Sequence, residues 1–126
     1  MFVSNEDELP KFDPNEPVFL DTETDGLYGP VRLVQLNQHS AACKAPCVID
    51  YVTYEGNFEK LKKYLETLWL VCHNATYDMS VLGICPERLD DTLYLARHEF
   101  LKLESYSLDR VVNACGHSHL YANMDK

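Results

Sequence analysis

"VFLDTETDG", residues 18–26, runs three apolar residues straight into Asp-Thr-Glu-Thr-Asp-Gly. The opening, β-branched and aromatic without alternation, has the character of a central strand covered on both faces. Asp21 and Glu23 lie two apart, so on a strand both carboxylates point to the same face. Side by side they repel each other and oppose folding unless a cation sits between them. Two readings stand at this point. Either a rigid strand carries a cation site, or the strand ends at Leu20 and the acids are solvated turn residues.

Outward from this stretch the pattern is that of an α/β layer. "DGLYGP" supplies a turn and "VRLVQLN" a hairpin partner strand; "HSAACKAP" reads as loop and "CVIDYV" as a third strand. From Asn57 the period changes. "NFEKLKKYLETL" places Phe58, Leu61, Leu65 and Leu68 on one stripe, with Asn57 as the cap, and so predicts an amphipathic helix. "LWLVCHN" returns to a strand, which after a crossover helix suits a parallel neighbour for an earlier one. "ATYDMSVLG" begins a second helix closed by Gly83 and Pro86. "RLDD" is a short strand or loop, and "TLYLARHEFLK" and "SLDRVVNACG" are two further helices, the last with Leu108, Val111, Val112 and Cys115 on one side and Gly116 at its end. Ahead of all this, residues 1–17 hold Pro10, Pro14 and Pro17 among acids and read as an extended, weakly ordered lead-in to a domain at 18–126.

A chain of 126 residues makes one domain with a single layered core. Its net charge of -9 argues against a broad basic face that grips nucleic acid. It leaves room for an enzyme that reaches phosphate through bound divalent cations, since those reverse the local charge. No stretch approaches the roughly 20 apolar residues of a membrane span, and the N-terminus is acidic where a signal peptide would be basic and then apolar. A cytoplasmic protein is the expectation, with no membrane partner. The cysteines (Cys43, Cys47, Cys72, Cys85 and Cys115) are odd in number, and reduced thiols are the default. His39, Cys43 and Cys47 would give three of the four ligands of a zinc site, with no evident fourth; a loop with incidental thiols is the competing reading.

The second signal is "HNATYD". Asn74 and Asp78 are four apart where an apolar run meets a helix start. If that strand lies beside the first, Asp78 projects toward Asp21 and Glu23; alternatively Asn74 caps the helix and Asp78 complements its dipole. Two strands whose carboxyl ends each deliver acids, at the edge where α/β sheets bind ligands, make the first reading the stronger.

"VFLDTETDGLYGPVRLVQL" and "LVCHNATYDMSVLG" resemble the first and second motifs of the DEDD superfamily of 3'-5' exonucleases, especially the proofreading domains of family A DNA polymerases, and "DDTLYLARHE" with "YSLDRVVNACG" is similar to their helical continuation. The resemblance spans Val18 to Gly116. It implies a ribonuclease-H-like mixed sheet with antiparallel first three strands and flanking helices, and two divalent cations, Mg²⁺ or Mn²⁺, hydrolysing phosphodiester bonds at the 3' end of single-stranded nucleic acid, DNA before RNA. It assigns Asp21 to both ions, Glu23 to the ion that activates water and Asp78 to the second ion. Thr24, Leu27 and Asn74 fall on the substrate side, with Leu27 and Tyr28 as stacking or wedging groups or else ordinary packing residues. Asp91, of the Asp91-Thr92 pair, takes a helix-capping role.

The superfamily's fourth carboxylate lies in a third motif, and here the chain departs from the pattern and reads as shortened at its C-terminus. "YANMDK" spells Tyr121-x-x-x-Asp125, which the family would use to orient the attacking water and complete the first metal site. Only "HSHL" separates it from Gly116. A compressed third motif and a coincidental match are both open, as are a substitute role for His117 and His119 and their being solvated loop residues. The alternative function is a catalytically incomplete exonuclease-like module, or a split polymerase segment, that depends on a polymerase or a second chain.

Overall fold

The computed structural model describes residues 1–39, 46–100 and 103–116. Five strands form one mixed sheet in the order β3-β2-β1-β4-β5, built from β1 (Val18–Thr24), β2 (Val31–Asn37), β3 (Cys47–Asp50), β4 (Trp69–Cys72) and β5 (Arg88–Asp91). The first three are an antiparallel meander; β4 lies parallel to β1 on its other side, and β5 parallel to β4. The helices are α1 (Phe58–Glu66), α2 (Ala75–Leu82), α3 (Thr92–Glu99) and α4 (Leu108–Ala114).

β1 alternates strictly. Val18, Leu20 and Thr22 are buried while Phe19, Asp21 and Glu23 are exposed, so the strand is not covered on both faces as its unbroken apolar start suggested. Phe19 is the deceptive residue: it belongs to the outer face and stays 47% exposed. On the inner face the core joins Val18 and Leu20 to Val34 and Leu36 of β2, Ile49 of β3, Leu70 and Cys72 of β4, and Leu61 and Leu65 of α1. The Asn57 side chain caps α1 as expected, accepting the Lys60 N–H at 3.1 Å.

Residues 1–17, expected to be weakly ordered, are packed into the domain. Val3 and Phe12 are buried in the core. The Val3 N–H donates to the Val48 carbonyl at 2.9 Å and the Val48 N–H to Met1 at 2.8 Å, closing the free edge of β3. Prolines and acids lower the propensity for regular elements without preventing single apolar residues from docking. β5 resolves as a strand rather than a loop, and α4 buries Val111 alone of its expected stripe, leaving Leu108 and Cys115 exposed. No helix among the described residues is long and apolar enough to cross a membrane.

Candidate functional site

The alternation of Asp-Thr-Glu-Thr sorts two chemistries onto two faces. Asp21 and Glu23 point outward, while Thr22 and Thr24 point toward α2. The Thr22 hydroxyl donates to the Asp78 carboxylate at 2.6 Å, and the Thr24 hydroxyl lies 2.5 Å from the Tyr77 hydroxyl. Successive residues of α2 thus fasten alternate residues of β1. The strand that carries the acids is held from behind.

The entry to α2 is equally determined. Asn74 is left-handed, with φ 73° and ψ 60°, and its side chain makes no capping bond, so the capping role weighed for it is not realised. Asp91 supplies it instead. Its carboxylate accepts the N–H groups of Asn74 and Ala75, each at 2.9 Å, and that of Leu93 at 2.9 Å, so one residue caps both α2 and α3. Asp91 sits at the end of β5, opposite Cys72 of β4, which is what brings it beside the start of α2.

Asp78 is 4% exposed. Burial pushes its pKa up to about 6; the Thr22 hydrogen bond opposes the rise and the negative charges of Asp21 and Asp91 add to it. Asp21 is also raised, by partial desolvation against the sheet, with the Thr22 backbone pulling the other way. On the outer face, Phe19, Asp21, Gln35, Asn37, Val71 and His73 line a groove of about 330 Å³, bounded by Thr92 and Leu108 where α3 and α4 begin. His73 is fixed at both ring nitrogens: Nε2 donates to the Tyr106 carbonyl at 2.6 Å, and Nδ1 lies 2.9 Å from the Thr92 hydroxyl.

Beyond β1, the hairpin loop is tightly wound, with the Asp25 N–H bonded to the Pro30 carbonyl and the Gly29 N–H to Gly26. A side chain at residue 29 would place its Cβ 1.7 Å from the Asp25 carbonyl oxygen, so only glycine serves there. Leu27 (84% exposed) and Tyr28 (60%) form the tip. Thr24, placed on the substrate side by its motif, spends its hydroxyl on this hairpin, bonding Gly26 and Tyr77.

Among the described residues no three His, Cys, Asp or Glu side chains are gathered closely enough to hold a metal ion as they stand. Asp78, fastened to the inward-facing Thr22, feels the charges of Asp21 and Asp91, while Asp21 and Glu23 share the outward face of β1. Their hard oxygen donors suit Mg²⁺ or Mn²⁺, and a cation would relieve the cost of burying Asp78 beside another negative charge. Tyr121, Asp125, His117 and His119 lie outside the described residues, as does Cys43. Cys47 is buried in β3. Sequence reasoning missed Thr22, Tyr77 and His73. The threonines were signalled by the same two-residue period that placed the acids; nothing in the sequence signalled the bonds His73 makes.

A family model described as 3'-5' exonuclease, of the DNA polymerase A type, matches residues 5–123. No curated protein sequence matches the chain. Among solved structures, Brucella melitensis NrnC bound to pGG aligns at a TM-score of 0.66 and 21% identity over 90% of this chain, which spans 58% of that one. The Aedes aegypti Nibbler EXO domain aligns at 0.66 and 15% over 99% of this chain and 74% of its own. Exonuclease X, in complex with 5' overhanging duplex DNA, aligns at 0.56 and 21% over 79% and 72%. The shared fold is the ribonuclease-H-like mixed sheet.

Proposed function

The chain belongs to the 3'-5' exonuclease family of the DNA polymerase A type, and on that premise we propose that it hydrolyses phosphodiester bonds at the 3' end of single-stranded nucleic acid, DNA before RNA, with two divalent cations bound at Asp21, Glu23 and Asp78. The observation that carries this reading is Asp78. A carboxylate buried to 4% exposure and close enough to feel the charge of Asp21 costs the fold stability, which its hydrogen bond from Thr22 offsets only in part. A bound cation compensates it.

Asp21 and Glu23 hold the outward face of β1 and Asp78 the start of α2, so the donor set stands on two rigid elements rather than on loops. Thr22 fixes the orientation of Asp78 through its hydroxyl. When bound, divalent cations held by Asp21, Glu23 and Asp78 would supply a hydroxide near neutral pH and charge stabilisation on the attacking and leaving oxygens. Leu27 and Tyr28, exposed at the hairpin tip next to the acids, present apolar and aromatic surface to the terminal base. Asn74 follows β4, which runs parallel to β1, and so lies toward the same end of the sheet as the acids. Tyr121 and Asp125 enter as the candidates for orienting water and for the fourth carboxylate. The test is degradation of matched 5'-labelled DNA and RNA single strands with Mn²⁺. Products that shorten from the 3' end and are lost in Asp78→Asn support the reading, and products unchanged in that variant overturn it.

A second reading is favoured by one observation: among the described residues the acids do not form a three-ligand group. In that reading the chain is a catalytically incomplete module, and a polymerase segment or second chain supplies the missing carboxylate. It predicts Mn²⁺ binding without product from the purified chain, and product when the partner is added.

A further inference from the structure

Tyr28 is one of two non-glycine residues with positive φ among the described residues, at 55°. A bulky side chain in the left-handed region is uncommon and persists only where its surroundings impose it. Here the imposing group is Tyr77. Its ring packs against that of Tyr28 with centroids 4.8 Å apart, its hydroxyl accepts the Tyr28 N–H at 3.3 Å, and the same hydroxyl lies 2.5 Å from that of Thr24, which also reaches the Gly26 carbonyl at 2.7 Å. One side chain from α2 therefore touches the last residue of β1 and the tip of the hairpin at once. The next residue is Asp78, fastened to Thr22.

We propose that Tyr77 is a positioning residue for the nucleic-acid end: it holds the Leu27-Tyr28 tip in the conformation that meets the terminal nucleotide, and registers that tip against the carboxylates of β1. Tyr77 is half-buried behind the strand, and its hydroxyl is spent on Thr24 and Tyr28, so it acts through the tip. This inference rests on the exonuclease reading. Because the tip grips substrate while the acids serve the reaction, loosening Tyr77 weakens binding and leaves the chemical step in place.

The test compares Tyr77→Phe, which keeps the ring contact and loses the hydroxyl, with Thr24→Val and the double variant. Three quantities are read: KM and kcat on a 5'-labelled oligothymidylate with Mn²⁺, the Kd of a fluorescent oligothymidylate with Ca²⁺, and hydrogen exchange at the Tyr28 amide. Loss of one or two hydrogen bonds predicts KM and Kd raised about 3- to 10-fold with kcat within about 2-fold. The Tyr28 amide exchanges faster in both single variants, and the double variant falls short of their sum, because both remove the shared Thr24–Tyr77 bond. Unchanged exchange at Tyr28 overturns the positioning role. Faster exchange with unchanged KM and Kd also overturns it, since the tip then moves without consequence for substrate. If the wild-type chain makes no product, the exonuclease reading fails separately, and the Ca²⁺ Kd with the exchange data still decides the role of Tyr77.

Discussion

At the scale of single residues, Asp78 sets the pH behaviour. Its pKa is pushed up to about 6 in the folded chain and is ordinary when unfolded, so the folded state holds the proton more tightly. By linkage Asp78 contributes stability to the metal-free protein while protonated, and that contribution, on the order of 3 kcal/mol, is lost as pH rises from about 4 through about 6. Asp78→Asn, which still accepts from Thr22, removes that loss. Urea unfolding in chelator should show the variant more stable than wild type at pH 7.5 and close to it at pH 4. With Mn²⁺ the order changes, because wild type gains a ligand-bound state that the variant lacks. Mn²⁺ affinity of the wild type, measured by calorimetry, should rise steeply as pH passes upward through about 6, since a protonated Asp78 cannot serve as a ligand.

At the scale of elements, two devices fix where the acids stand. Asp91 closes the starts of both α2 and α3. Asp91→Ala removes two caps at about 1 kcal/mol each and leaves the N–H of buried Ala75 without its acceptor, a loss of roughly 2 to 3 kcal/mol by urea denaturation. Leu61 and Leu65 seat α1 beneath the sheet with no exposed surface. Leu61→Ala should cost about 2–5 kcal/mol, without change in Mn²⁺ affinity for the fraction that remains folded. These elements differ in how legible they were. The 3.6-residue stripe and Asn57 cap of α1 could be read directly, as could the two motif strands. The sequence of β1 suggests a doubly covered strand because Phe19 is apolar yet faces outward, and a single strand does not say which of its apolar residues lacks a neighbour. The cap of α2 is invisible in the sequence because its acceptor, Asp91, comes from another strand 16 residues on, and only the β4–β5 register brings it there.

At the scale of the molecule, one face of the sheet is core and the other carries the acids beside an open groove. The N-terminal segment belongs to the domain through Val3, Phe12 and the bonds to Val48. Deleting residues 1–12 should lower the urea midpoint and expose the β3 edge to dye-detected association, whereas a loosely attached lead-in would be removable without effect. Sequence alone missed this because isolated apolar residues between prolines carry no period. On the proposed reading, cations held by the outward acids, rather than a basic surface, would be the meeting point of a chain of net charge -9 with a polyanion.

On the proposed reading β1 holds a metal-dependent phosphodiesterase centre, and Asp21 is the residue on which that centre turns. The measurement is a gel assay of 5'-labelled single-stranded DNA with Mn²⁺, comparing the purified chain with Asp21→Ala purified identically. A ladder of progressively shorter 5'-labelled products from the wild type, absent with Asp21→Ala and with chelator, is the predicted result. A ladder of equal intensity from Asp21→Ala, or no product from the wild type at saturating Mn²⁺ and bound DNA, would contradict it.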